Sequence, residues 1–274
     1  MITKPIPSTG EALPVIGLGT YKTFNISHKH LNKQLEEVLN LFFEAGGTLI
    51  DSSPMYGKSE AIIGQLLNKI DPNIKTFLAT KVWTNGKQNG IEEMSQSLHK
   101  MGCSRMDLMQ IHNLVDADTH LKTLKEWREE GKIKYIGITH YTDNAFDELA
   151  NYLKEYPEID FCQFPYSIAR REAEKYFLDL CDDLEVATLI NRPFEQDDLF
   201  ESVRNQPIPA WAIEFGCVTW AQFFLKYILG HKAVTCAIPA TSKPEHMAEN
   251  LIAGIERLPD ANERKKMTNY FESF

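Results

Sequence analysis

Three apolar runs, TLIDSS at 48–53, TFLATKVW at 76–83 and MDLMQIHN at 106–113, each carry a polar side chain near the carboxyl end: Asp51, Lys81 and His112. Roughly thirty residues separate each from the next, the length of one strand-plus-helix unit. The three side chains therefore fall at equivalent places in consecutive βα repeats. The runs are apolar almost throughout, as parallel strands covered on both faces should be. Between them the sequence turns to helical periodicity, in SEAIIGQLLNKI and in IEEMSQSLHKM, the latter closed by Gly102.

The alternation extends in both directions. Upstream, PIPSTGEALPVIGLGTY reads as a hairpin feeding a strand. Leu31, Leu35, Val38, Leu39 and Phe42 then make the apolar stripe of a first helix stopped by Gly46 and Gly47. Downstream, THLKTLKEWREE is a helix closed by Gly131. Strands KYIGITHY, DFCQFPYS, ATLINRPF and AVTCAIPAT alternate with helices NAFDELANYLKEY, REAEKYFLDLCDDL, one long helical stretch from Ile208 to about Leu229, and PEHMAENLIAG. In PDANERKKMTNYFESF, Asp260 is placed as an N-cap with Glu263 in capping-box register, which predicts an added C-terminal helix. Counted from PVIGLGT there are eight strands, each followed by a helix. The expectation is a single-domain (β/α)8 TIM barrel over residues 1–274, with an N-terminal β-hairpin. An open doubly wound sheet would need a GxGxxG turn after its first strand, and GLGTYKTF has no third glycine at that offset.

A formal net charge of −9 argues against general binding to nucleic acid or to anionic membrane surfaces. The most apolar long stretch, TWAQFFLKYILG, is too short to span a membrane and carries Lys226. MITKPIPSTGE has no apolar signal core, so the expected location is the cytoplasm. The five cysteines, Cys103, Cys162, Cys181, Cys217 and Cys236, are odd in number, widely spaced and without a CxxC pair. Reduced, mostly buried thiols are expected rather than a disulfide framework or a zinc site.

In a barrel of this kind, functional side chains gather at the carboxyl ends of the strands. Tyr56, on the loop after Asp51, is placed to bend over that mouth. A phenol is a poor acid at neutral pH unless a nearby cation favours the phenolate, and Lys81 is that cation. A buried ammonium needs a partner carboxylate, a role for Asp51. His112 is placed to hydrogen-bond a carbonyl oxygen or relay a proton. With no Ser-His-Asp or Cys-His arrangement to supply a nucleophile, an external hydride donor completes the scheme.

Five motifs in register, GLGTY, IDSSPMYGKSE, the strand of Lys81, QIHN and IPATSKPEHMAEN, resemble the aldo-keto reductase superfamily from about Leu13 to Gly254. The resemblance implies a nicotinamide cofactor, NADPH ahead of NADH, held without a Rossmann turn. It implies reduction of an aldehyde or ketone by the tetrad Asp51, Tyr56, Lys81 and His112, with Tyr56 as general acid. It further implies that Gly19, Thr20 and Tyr21 line the cofactor or substrate pocket, that Gln163 bonds the nicotinamide amide, and that Trp83 walls the substrate site. Ser242, Glu249 and Asn250 match positions at the adenosine end.

Departures concentrate on the cofactor. Thr139-His140 stands where the family commonly has Ser-Asn, and Asn191 stands where an aromatic residue commonly stacks on the nicotinamide. Ala240 and His246 align with a Lys and an Arg that bind the 2′-phosphate in one branch, leaving Lys243 and Arg192 to replace that charge. The short stretch between Pro193 and Pro209 implies an abbreviated lid. These departures motivate a rival reading, a cofactor-binding barrel acting as a redox-responsive regulatory subunit with little turnover. A metal-dependent hydrolase is disfavoured because no HxH pair ends a strand. Blander assignments cover the remainder: His28, His30 and His120 as solvated helix-end residues, Arg264-Lys265-Lys266 as a solvated helix face, and the Phe and Leu residues of 219–230 as core.

Overall fold

Parallel pairing in strict chain order organises the molecule. The computed structural model describes residues 1–27, 29–71 and 73–274, and the side chains of residues 29–32 also lie outside that description. Among the described residues, β1 (Thr3–Pro5) and β2 (Ala12–Pro14) form an antiparallel hairpin. A parallel eight-stranded sheet follows: β3 (Leu18–Gly19), β4 (Leu49–Asp51), β5 (Phe77–Val82), β6 (Met106–His112), β7 (Ile133–Thr139), β8 (Phe161–Pro165), β9 (Ala187–Asn191) and β10 (Cys236–Ala237). Its two edges meet. Gly17 N donates to Ala237 O at 2.8 Å and Gly19 N to Pro239 O at 3.0 Å, with parallel bridges at Ile16–Ala237 and Gly19–Ala240. The result is the expected (β/α)8 barrel. The seam requires a glycine, because a Cβ on Gly19 would lie 2.6 Å from the Ile238 carbonyl oxygen.

The outer ring comprises α1 (Lys29–Glu44), α2 (Ser59–Leu67), α3 (Lys87–Met101), α4 (Ala117–Glu129), α5 (Phe146–Glu155), α6 (Phe177–Asp183), α7 (Asp198–Ser202), α8 (Trp220–Leu229) and α9 (Pro244–Ile252), with α10 (Ala261–Phe271) added. Strand residues alternate between two cores. Leu49, Phe77, Ala79, Leu108, Tyr135, Phe161 and Leu189 fill the barrel with Ile6 and Leu13 of the hairpin, whereas Ile50, Leu78, Val82, Met109, Ile111 and Phe164 face the helices. The hairpin plugs the amino-terminal end of the barrel: Lys4 Nζ donates to the carbonyls of Leu229, His231 and Val234, and Glu11 accepts from Lys134 and Tyr135. The opposite end is left for function.

Most predicted elements stand where the pattern places them, including the Asp260–Glu263 capping box and the Leu35, Val38, Leu39 and Phe42 stripe; His28 and the side chains of His30 and Leu31 lie outside the described residues. Phe223, Phe224, Leu225 and Leu229 are core, as expected. Three expectations are corrected. The stretch from Ile208 to Leu229 is not one helix: a 3-10 turn over Ala210–Phe215 ends at left-handed Gly216, and α8 restarts from Thr219 in a capping box with Gln222. His120 is fully buried rather than solvated, because α4 packs on the loop after β5, where its Nε2 meets the Thr84 carbonyl at 2.7 Å. Arg264 is mostly buried, drawn in by Glu174 and by the Tyr227 carbonyl, while Lys265 and Lys266 are exposed. The five cysteines are unpaired, four of them buried. No helix among the described residues is long and apolar enough to cross a membrane.

Candidate active site

The two-residue period of a strand decides which polar side chains meet. In β5, Phe77, Ala79 and Lys81 share the inward face; in β6, Leu108, Gln110 and His112 do. Asp51, Thr139 and Asn191 end β4, β7 and β9, and Gln163 sits at the middle of β8, all on the same side, above the apolar filling. A cavity of about 660 Å³ opens over them.

Lys81 and Asp51 are both buried and joined at 2.6 Å between Nζ and Oδ2; Lys81 also donates to the Ser52 carbonyl at 2.8 Å. The other carboxylate oxygen, Oδ1, accepts from Gln110 Nε2 at 2.9 Å and Gln163 Nε2 at 3.0 Å. Gln163 Nε2 also reaches Gln110 Oε1 at 3.1 Å, and its Oε1 accepts from Thr139 Oγ1 at 3.2 Å. Burial draws the Lys81 ammonium below the ordinary lysine range, and the Asp51 charge opposes that fall.

Tyr56 stands above this pair, its ring centroid 5.3 Å from Lys81 Nζ and 5.0 Å from the ring of Tyr21. Burial pushes its phenol well above the usual range, and Asp51 adds to the effect, so the hydroxyl carries its proton at neutral pH. The adjoining turn depends on Gly57, which has φ of 64° and no room for a Cβ against Asn25. His112 lies 6.1 Å from Tyr56, ring to ring, with Nδ1 3.1 Å from Ser53 Oγ. Burial, then the Lys81 charge, lowers its pKa to about 3, so the imidazole is neutral.

Around the mouth, Tyr21, Met55, Trp83 and Tyr141 expose large apolar surfaces. The Trp83 loop is held at three points. Glu93 accepts from Trp83 N, His120 donates to the Thr84 carbonyl, and Asp116 accepts from Gly86 N at 2.7 Å. On the far side the connection after β9 is short yet reaches the cavity with Phe194, Gln196 and Asp197.

The structure thus gathers Asp51, Tyr56, Lys81 and His112, and Gly19, Thr20, Tyr21, Trp83, Thr139, Gln163, Asn191 and Arg192 line the same cavity. His140 sits beside it, stacked on Tyr141 at 5.4 Å, with Nδ1 engaged by Thr142. Ser242, Lys243, His246, Glu249 and Asn250 lie outside the lining set, at and along α9; Lys243 and His246 are exposed and Asn250 is buried. Sequence reasoning missed Gln110, Ser53, Tyr141 and the clamp formed by Glu93, His120 and Asp116. A signal for Gln110 was present, a polar residue inside MDLMQIHN at the same parity as His112.

The family model of the aldo/keto reductase family matches residues 15–265. The chain belongs to the aldo/keto reductase family. Aldo-keto reductase YhdN of Bacillus subtilis is 27% identical over 68% of this chain and 60% of its own length, so that match spans under two thirds of the relative. The NADH-specific methylglyoxal reductase of Escherichia coli is 27% identical over 76% of this chain and 72% of its own. An aldo-keto reductase from Klebsiella pneumoniae, solved in complex with NADPH, superposes with a TM-score of 0.81 at 23% identity, covering 99% of this chain and 96% of that one. This aldo/keto reductase is accordingly an oxidoreductase of carbonyl chemistry on a (β/α)8 barrel.

Proposed function

We propose that the protein reduces an aldehyde or ketone to the alcohol with NADPH, Tyr56 donating the proton. The observation that carries the reading is the buried Lys81–Asp51 pair at 2.6 Å beneath a protonated Tyr56 at the cavity floor. A bound nicotinamide supplies a hydride to the carbonyl carbon. Negative charge then develops on the carbonyl oxygen, and the Tyr56 hydroxyl delivers its proton there. The Lys81 cation stabilises the phenolate left behind. Neutral His112 fixes the carbonyl oxygen by a hydrogen bond; among the described residues Nε2 has no protein partner, while Nδ1 faces Ser53.

The residues present fit the cofactor. Among the described residues, Asn191 Oδ1 and Arg192 Nε, on the cavity wall, are buried with no hydrogen-bond partner, as is Asn113 Oδ1. Thr139, Asn191 and Arg192 would hold the nicotinamide end, and Ser242, Lys243, His246, Glu249 and Asn250 the adenosine end. Gln163 contributes differently from the family pattern, because both amide hydrogens are engaged by Asp51 and Gln110. Lys243, at the adenosine end, favours NADPH over NADH, and Tyr21, Met55, Trp83 and Tyr141 favour a substrate with an apolar body. The complete tetrad supports turnover over a purely regulatory barrel.

The test is Tyr56→Phe. Reduction of a carbonyl panel should be abolished, while NADPH, titrated by tryptophan fluorescence alongside NADH, should bind within a few fold of wild type. Retained turnover would overturn the reading, and failure of either nicotinamide to bind would overturn the cofactor.

A further inference from the structure

We infer that Gln110 is a positioning residue for Lys81 and Tyr56, acting through Asp51; the inference rests on the reductase reading above. Gln110 is fully buried and placed beside Lys81 in the register of β5 and β6. Space for it is built into the next strand: a Cβ on Gly137, its neighbour in β7, would fall 2.9 Å from Gln110 Cγ. An apolar side chain would fill this position without a partner. The amide instead donates to Asp51 Oδ1 at 2.9 Å and accepts from Gln163 Nε2 at 3.1 Å. The carboxylate fixes which way both amides point, since a carbonyl oxygen turned toward Oδ1 would be repelled.

Asp51 thus divides its two oxygens, Oδ2 to the cation and Oδ1 to two neutral donors. This holds the carboxylate in one rotation, facing Lys81. It also draws charge from Oδ1, so that Asp51 partners Lys81 without pulling the shared proton fully to itself. The charged and titratable groups around this pair and its phenol are Tyr56 from the loop after β4, Tyr21 against the Tyr56 ring, His112 two residues along β6, Cys236 buried on β10 within reach of the Asp51 charge, and Glu60, buried on α2 and bearing on Lys81 from outside the barrel. With the Gln110 donor removed, Asp51 presents a less neutralised negative charge. Lys81 and Tyr56 then both part with protons less readily, and the acid that must protonate the substrate oxygen is weaker. Because the two groups titrate together, the direction is the same whichever the alkaline limb of the rate profile reports.

The experiment compares kcat against pH, NADPH affinity and melting temperature in wild type, Tyr56→Phe, Gln110→Met and Gly137→Ala. Gln110→Met keeps the volume and removes the amide. Its alkaline limb should move up by about one pH unit and kcat should fall about tenfold, the scale of one charge-assisted hydrogen bond, with NADPH affinity within a few fold. Gly137→Ala, which removes no polar atom but displaces Gln110, should move the limb the same way by less, and it keeps the idea testable if Gln110→Met does not fold. If Tyr56→Phe is inactive and both other variants keep the wild-type limb, Gln110 has no such role and the reductase reading survives. The same conclusion follows if kcat and NADPH affinity fall together with the limb unmoved, the mark of a structural role. If Tyr56→Phe still turns over, the reductase reading fails and this inference goes with it.

Discussion

Removal of Lys81 leaves a carboxylate in the barrel with its counter-charge gone, and the consequence for stability can be worked from the geometry. Breaking a buried ion pair by deleting one partner generally costs about 3–5 kcal/mol, because the survivor stays desolvated. In Lys81→Met, Asp51 keeps the Gln110 and Gln163 donors at 2.9 and 3.0 Å, which places the cost near the lower figure, about 3 kcal/mol. For a chain of this size that corresponds to a fall in Tm of roughly 5 °C. Asp51→Asn should cost less, because burial already lowers the Lys81 pKa and the survivor can shed its proton. Asp51→Leu with Lys81→Met should recover most of the loss, since no charge remains.

The sign of the pH dependence separates this account from simple cavity formation. In Lys81→Met the folded state is relieved when Asp51 takes up a proton, whereas an unfolded aspartate ionises near 3.9. The folded variant therefore binds protons more readily than the unfolded chain, and its deficit is largest at high pH and shrinks as pH falls. Urea unfolding at pH 5 and pH 8 measures it, because a deficit of about 3 kcal/mol is shed between about pH 6 and pH 4. A Lys81→Met protein within about 1 kcal/mol of wild type at pH 8, or with a deficit that does not change with pH, would show that the pair carries no such electrostatic load.

Two further outcomes follow from the same coordinates. Gly57→Ala sets a Cβ against Asn25 at a residue with φ of 64°, so stability should drop by about 1–2 kcal/mol and kcat should fall with it, because the displaced turn carries Tyr56; unchanged kinetics with lowered stability would separate the turn from the chemistry. His231, lowered to about 4 by burial and then by Arg264, accepts from Ala233 N through Nδ1. Its stabilisation is complete above the unfolded histidine pKa near 6.5 and is lost as pH falls through about 4, at most about 2–3 kcal/mol. Urea midpoints measured across that window should slope less in His231→Asn, and equal slopes would dismiss the assignment.

The barrel was legible in the sequence because parallel strands buried on both faces need near-continuous apolar runs, and TFLATKVW and MDLMQIHN can be little else once they recur at the βα interval. That Asp51, Tyr56, Lys81 and His112 come together was legible for the related reason that a lysine inside such a run has no structural excuse. Other features depended on contacts the sequence does not announce. His120 looks like a helix-end residue until α4 packs its first turns on the Trp83 loop, and Gly90, where a Cβ would lie 2.5 Å from the imidazole, gives it the space. The break at Gly216 was visible as a glycine ahead of Thr219, yet the apolar periodicity on either side argued for continuity.

Gln163 shows where motif and geometry divide. Its alignment points to the nicotinamide amide, whereas a polar partner two strands away decides where its hydrogens go. Gln110 is that partner, and its side chain fits because Gly137 lacks one. A three-strand arrangement of this kind leaves only isolated traces in a linear sequence: a glutamine at inward parity, and a glycine in a strand that otherwise has no need of it. The functional weight of Gln163 therefore has to be read across the barrel rather than along the chain. The same holds for Asn191 and Arg192, whose unsatisfied buried atoms mark the cavity wall more directly than their departure from the family pattern does.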